Sequence, residues 1–133
     1  HLALWLGAEL SWLQGVISLA GVADLAQAHQ LNLSRGIVRE FLAGTPDEVP
    51  ERYRLASPIA RIPLKRPAVL IHGENDNIVP ITIARAYEKA ARAAGDNVEL
   101  HALPDTGHFE LIDPEKPQWA TVERAVRKML RVS

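Results

Sequence analysis

Between Pro67 and Gly73 the chain runs Ala68-Val69-Leu70-Ile71 with no polar residue. The run is too short for an ordinary helix, and it lacks the alternation of a strand with one wet face. It reads as a strand covered on both faces, as in parallel sheets. Val16-Ile17-Ser18-Leu19-Ala20, bounded by Gly15 and Gly21, is a second such run. Val98-Glu99-Leu100-His101-Ala102 alternates instead, which suits a strand near the sheet edge.

Helical patterns separate these strands. Residues 2 to about 14 are apolar nearly all round, the mark of a helix buried on more than one side, with Gly15 as its stop. Ile83, Tyr87, Ala91 and Ala94 make a stripe behind Pro80 as an N1 proline, and Gly95 ends it. Trp119, Val122, Val126 and Met129 make another, with Asp113-Pro114 as its expected cap and Glu123, Arg124, Arg127 and Lys128 facing away. The tryptophans are expected in the core. The alternation of strands and helices predicts an α/β fold of about three strands: a parallel sheet with flanking helices and right-handed crossovers.

Residues 24–66 belong to no strand. Ser34 is placed to cap a short helix carrying Ile37, Val38, Phe41 and Leu42, stopped by Gly44. Thr45-Pro46-Asp47-Glu48 has capping-box spacing, and Pro50 breaks or restarts the helix there. About forty residues of short helices exceed what a simple crossover needs, so the stretch reads as a lid-like insertion or pocket wall, or as a plain structural excursion. No repeat, low-complexity tract or linker divides the 133 residues, which predicts a single domain.

Several functional classes are excluded. Fifteen Lys+Arg against sixteen Asp+Glu leaves a net charge of −1, so no basic surplus exists to bind nucleic acid. No apolar run reaches the roughly 18 residues of a membrane span. The absence of cysteine removes disulfides, Fe–S clusters and thiolate zinc sites. No pair of the five histidines has i, i+4 spacing on one helix, and no G-x-G-x-x-G occurs, so neither metal nor nucleotide cofactor is expected. No targeting segment is visible, and the lack of Cys fits a reducing compartment, so the expected location is cytoplasmic. The chain opens with His1-Leu2-Ala3-Leu4-Trp5 and no capping residue, as if inside an element of a longer protein; a boundary without biological meaning is the plain alternative.

The chemistry gathers past two strand ends. Strand 68–71 leads into His72-Gly73-Glu74-Asn75-Asp76, and strand 98–103 into Pro104-Asp105-Thr106-Gly107-His108. Neighbouring parallel strands would bring these loops together at the edge where open α/β sheets place functional groups. A carboxylate that accepts the Nδ1–H of a histidine fixes its tautomer and stabilises the imidazolium formed during proton transfer. Asp76 and His108, 32 residues apart, are the candidate pair. The plainer readings are a loop carboxylate bonding nearby backbone N–H groups for Asp76 and a turn histidine for His108. Asp105 is the alternative acid. His72 is expected to orient its own loop, His101 to face solvent, and His29 has no evident partner.

The pattern His72-Gly73-x-x-Asp76-x-x-Val79-Pro80, followed by a helix, by Gly95-x-x-Val98-Glu99-Leu100 and by Gly107-His108, resembles the C-terminal part of an α/β-hydrolase. The likeness is closest to the prolyl-oligopeptidase-like and esterase/lipase branch. His1-Leu2-Ala3-Leu4-Trp5 resembles the helix that follows the nucleophile in that branch. The resemblance implies Asp76 as the acid and His108 as the general base of a catalytic triad. One departure stands out: no G-x-S-x-G occurs, and none of Ser11, Ser18, Ser34, Ser57 and Ser133 lies on a strand-to-helix elbow.

The expectation is therefore the C-terminal portion of a serine hydrolase, a carboxylesterase or a prolyl-oligopeptidase-like peptidase. It would supply acid and histidine while the nucleophile lies outside these residues, and alone it would be inactive. Its substrate would be a small ester or a peptide. The alternative is a nucleophile-free binding or scaffold domain. Strand 16–20 would present an edge with no Lys, Pro or charge, and Leu2, Trp5 and Leu6 would lie uncovered. Self-association as a dimer, or pairing with a missing N-terminal half, is the expected remedy.

Overall fold

The computed structural model describes residues 1–131. Three parallel strands lie in the order β1-β2-β3: β1 (Val16–Leu19), β2 (Ala68–Gly73) and β3 (Val98–Leu103). Val16 pairs with Ala68, and Ala68 in turn with Val98. The central strand is buried at every position. Its side chains alternate between two cores. Ala68 and Leu70 pack with Leu4, Ile83, Tyr87 and Ala91 on one face, and Val69 and Ile71 with Leu111, Val122 and Ala125 on the other. Burying Leu70 and Ile71 stabilises the fold by about 1.5–3 kcal/mol each.

The first face carries α1 (Leu2–Glu9), α2 (Leu25–Gln30), α3 (Ile37–Leu42), α4 (Pro50–Ala56) and α5 (Thr82–Ala93). The second carries α6 (Trp119–Leu130) and the short turn of helix Phe109–Ile112. The predicted hydrophobic stripes hold with two changes. Ala125 takes the buried place expected of Val126, and Ala94 is exposed at the end of α5. Gly95, with φ 87°, supplies the left-handed turn that stops α5, and the Asp96 N–H reaches the Ala91 carbonyl at 3.0 Å. Asp96 then brackets the approach to β2, its carboxylate accepting from Leu64 N at 2.7 Å and Lys65 N at 2.9 Å.

Several local expectations are corrected. α1 ends at Glu9 rather than near residue 14: Leu10 turns extended, and Arg66 donates to the carbonyls of Leu10 (2.6 Å) and Leu13 (3.2 Å) beyond it. Trp12 is 74% exposed and not core, while Trp5 is held half-buried by its Nε1–H on Leu55 O (2.8 Å) and by the Arg61 guanidinium over its ring. β1 is not covered on both faces alike; Val16 and Ser18 are buried, Ile17 and Leu19 only half so.

Three caps differ as well. Ser34 caps nothing: it sits at φ 48° within a short helical turn, and Gly36 takes the N-cap of α3. α5 starts at Thr82, two residues past Pro80. Asp113 does not cap α6; its carboxylate accepts from Glu115 N, and Gln118 is the N-cap. Pro117 disfavours helical backbone at Lys116, so α6 begins only beyond it. The capping box is present, with Glu48 Oε2 accepting from Thr45 N (2.8 Å) and Thr45 Oγ1 from Glu48 N (3.3 Å), and Pro50 restarts the chain at N1 of α4.

Candidate active site

Where β2 and β3 end, their loops are joined backbone to backbone. Glu74 N donates to Leu103 O and Asn75 N to Thr106 O, each at 2.9 Å. Gly73 makes this approach possible, because a Cβ there would lie 2.5 Å from Gly107 O and 2.7 Å from the Thr106 carbonyl carbon. Thr106 is fully buried and fixes the second loop from within. Its hydroxyl donates to Pro104 O (2.8 Å) and accepts from Gln118 Nε2 (3.1 Å), tying the loop to the start of α6.

This junction brings together the two residues singled out by the sequence. His108 Nδ1 lies 2.7 Å from Asp76 Oδ2. Asp76 is only 7% exposed, and its other oxygen accepts from Ile78 N (2.9 Å) and Val79 N (2.8 Å). Asp76 thus bonds its own loop through Oδ1 and the histidine through Oδ2. Burial pushes its carboxyl up, but the hydrogen bonds from His108, Val79 and Ile78 outweigh burial and hold it below the ordinary carboxylate value. With Nδ1 facing a carboxylate that can only accept, His108 carries its proton there. Nε2 is left as the basic nitrogen, and it makes no hydrogen bond among the described residues. The side chain is 24% exposed, and the Phe109 ring stands edge-on to it at 5.2 Å.

His72 is the next-to-last residue of β2, buried like the rest of the strand. It is 1% exposed, with Nε2 2.7 Å from Val79 O and 3.4 Å from Asp76 Oδ2. Burial lowers its pKa, so the ring is neutral, and because a carbonyl only accepts, Nε2 bears the proton. This is the loop-orienting role expected of it. Asp105 is exposed at φ 49° and makes no hydrogen bond to His108. His101 is half-buried rather than free in solvent, with Nε2 3.3 Å from Glu99 Oε1. His29 stands edge-on to Tyr53, its buried Nδ1 without a partner among the described residues. Thr106 and Gln118 were invisible as site residues in sequence, for neither belongs to a motif. Among the described residues no three His, Asp or Glu side chains converge as a metal ion would require.

The model of the prolyl oligopeptidase family matches residues 4–126. The chain belongs to the prolyl oligopeptidase family. Among curated relatives, the esterase LipC of Mycobacterium tuberculosis is 40% identical over 78 residues, covering 56% of this chain and 19% of LipC. The uncharacterized peptidase YtmA of Bacillus subtilis is 29% identical over 95 residues, 70% of this chain and 35% of YtmA. The chain therefore spans well under half the length of either. Among solved structures, the acylaminoacyl peptidase of Pyrococcus horikoshii superposes with a TM-score of 0.81 at 18% identity, over 96% of this chain and 21% of that one. The three parallel strands and their helices have the α/β-hydrolase fold.

Proposed function

We propose that this chain supplies the acid and the general base of a serine hydrolase that cleaves ester or peptide bonds. The observation that carries the reading is the 2.7 Å contact of His108 Nδ1 with the buried Asp76 carboxylate, where two adjacent parallel strands end. Family membership supports the reaction class, and relatives named as an esterase and a peptidase support the choice of bond.

In this reading the nucleophile is a serine outside the described residues, among which no serine hydrogen-bonds to His108; Ser57, for one, is buried and accepts from Leu25 N. As that serine attacks the substrate carbonyl, its proton passes to His108 Nε2. Asp76 stabilises the imidazolium, and the same proton then goes to the leaving group as the acyl-enzyme forms. Water repeats the sequence to release the acid. A largely apolar cleft of about 480 Å³, lined by His1, Val22, Leu25, Ile37, Val38 and Phe41 together with Glu40, opens beside the segment that follows β1. It supports the insertion, through α3, as a pocket wall for an apolar part of the substrate.

The test is hydrolysis of p-nitrophenyl esters, with fluorophosphonate labelling. The 133-residue chain is expected to show neither burst nor label, and the same chain joined to a segment bearing a G-x-S-x-G serine to show both. Turnover that survives His108→Ala in the joined protein overturns the assignment. A joined protein that folds and binds ligand without labelling favours the nucleophile-free binding domain.

A further inference from the structure

We propose that His72 is a positioning residue for the acid–base pair, a role that rests on the catalytic reading of Asp76 and His108. Val79 is gripped at both ends of its own residue. Its N–H donates to Asp76 Oδ1 at 2.8 Å, and its carbonyl accepts from His72 Nε2 at 2.7 Å. His72, Val79 and Asp76 thereby close a ring that ties the turn after β2 back to the strand itself. His72 is the right anchor because it belongs to the central strand, in register with Ala102 of β3. The same Nε2–H leans toward Asp76 Oδ2 at 3.4 Å, the oxygen that His108 uses.

Each Asp76 oxygen is thus set by a different constraint. The Ile78 and Val79 amides hold Oδ1, and through that hold the His72–Val79 bond decides where Oδ2 points. Without the imidazole donor, the buried Val79 carbonyl is left unsatisfied, and an orphaned buried acceptor drives local rearrangement. The rearrangement would fall on the turn that aims Asp76, not on the sheet. Alignment of an acid–base pair to within a fraction of an ångström is what such supporting contacts provide.

The experiment compares His72→Gln, whose amide can reach the place of Nε2, with His72→Met, of similar length but no donor. The first readout needs no activity: solvent exchange of the His108 Nδ1 proton by NMR in the 133-residue chain, with methyl signals of Val122 and Ile83 reporting that both cores are intact. The expected result is exchange at least about tenfold faster in His72→Met and within about threefold of wild type in His72→Gln. Should His72→Met fail to fold, His72→Asn, too short to reach Val79, takes its place. Unchanged exchange in the donor-free variant, or equal loss in the Gln variant with intact cores, overturns the proposal. The second readout is steady-state kinetics in protein that carries the nucleophile. There kcat should fall about tenfold in His72→Met with KM unchanged and recover in His72→Gln. If His108→Ala leaves turnover intact, the catalytic reading fails, whereas the NMR comparison judges His72 independently.

Discussion

Gly73 packs against the carbonyl of Thr106 so closely that a Cβ would overlap its oxygen and lie 2.7 Å from its carbon. The backbone there has no room to give. Thr106 is fully buried, its carbonyl accepts from Asn75 N at 2.9 Å, and its hydroxyl is engaged on both sides. Gly73→Ala should therefore part the two loops. The expected cost is about 1–3 kcal/mol in urea denaturation, the range for forcing extra volume into a packed interior. His108 should lose its contact with Asp76 in the same variant. A stability loss below about 0.5 kcal/mol, within the scatter of surface substitutions, would show that the loops yield more readily than their hydrogen bonds indicate.

The acid–base pair has a sharper signature. In protein that carries the nucleophile, Asp76→Asn keeps the shape of the side chain but can turn N–H donors toward Nδ1, which favours the wrong tautomer. His108→Ala removes the base outright. Both should lower kcat by roughly 10³–10⁴ with little change in KM, because what is lost acts mainly in the transition state. Steady-state ester hydrolysis checks this. A drop confined to KM would move these residues from catalysis to substrate binding.

Asp76 also links stability to pH. Its hydrogen bonds hold the folded carboxyl below the value it has in the unfolded chain. The ionised form is therefore favoured by folding. Its contribution is fully present above the unfolded value near pH 4 and is lost as pH falls through the lower folded value. Asp76→Asn cannot titrate. The stability gap between wild type and Asp76→Asn should be widest at about pH 5 and narrow toward about pH 3, read by urea denaturation at each pH. A gap that stays constant across that window would mean that the carboxylate gains nothing from its donors.

What was legible in the sequence shares a physical character. Ala68–Ile71 announces a strand covered on both faces because four adjacent apolar residues admit few other readings, and Asp76 and His108 follow strand ends that parallel pairing must align. The Thr45–Glu48 box was legible for the same reason, as its partners lie three residues apart. The failures were tertiary. Nothing local says that Arg66 will claim the carbonyls of Leu10 and Leu13, that Asp96 will bracket Leu64 and Lys65, or that Gln118 will reach Thr106. Ser34 and Asp113 do not cap helices because cap propensity is local, whereas Gly36 at φ 87° and Pro117 decide where those helices can start. Trp12 lies outside the core because an apolar residue past a helix end has no periodicity to follow.

One edge of the sheet leads to a prediction about association. The N–H groups of Val16 and Ala20 are spent on Pro67 O and Ile71 O, at 3.0 and 2.9 Å. Successive residues of a strand point their hydrogen-bonding groups to opposite sides, so those of Ile17 and Leu19 face away from β2, where the described residues supply no further strand. No Lys, Pro or charge guards this edge. Leu2, 60% exposed on α1, and the exposed Trp12 lie on the segment that leads into β1 and add apolar surface. We therefore expect the isolated chain to self-associate at micromolar concentration, most simply as a two-fold dimer through the β1 edge. A segment that supplied the nucleophile would cover the same edge and suppress it. Trp5 is a poor control, since it is tied to Leu55 and Arg61 and its loss would disturb folding. Leu2→Glu and Trp12→Glu add charge where the native side chain is exposed. Light scattering should report a dimer for wild type and a shift toward monomer for the double variant. A wild-type chain that stays monomeric at about 100 μM, far above the micromolar range in which a specific interface forms, would show that the β1 edge is not a pairing surface.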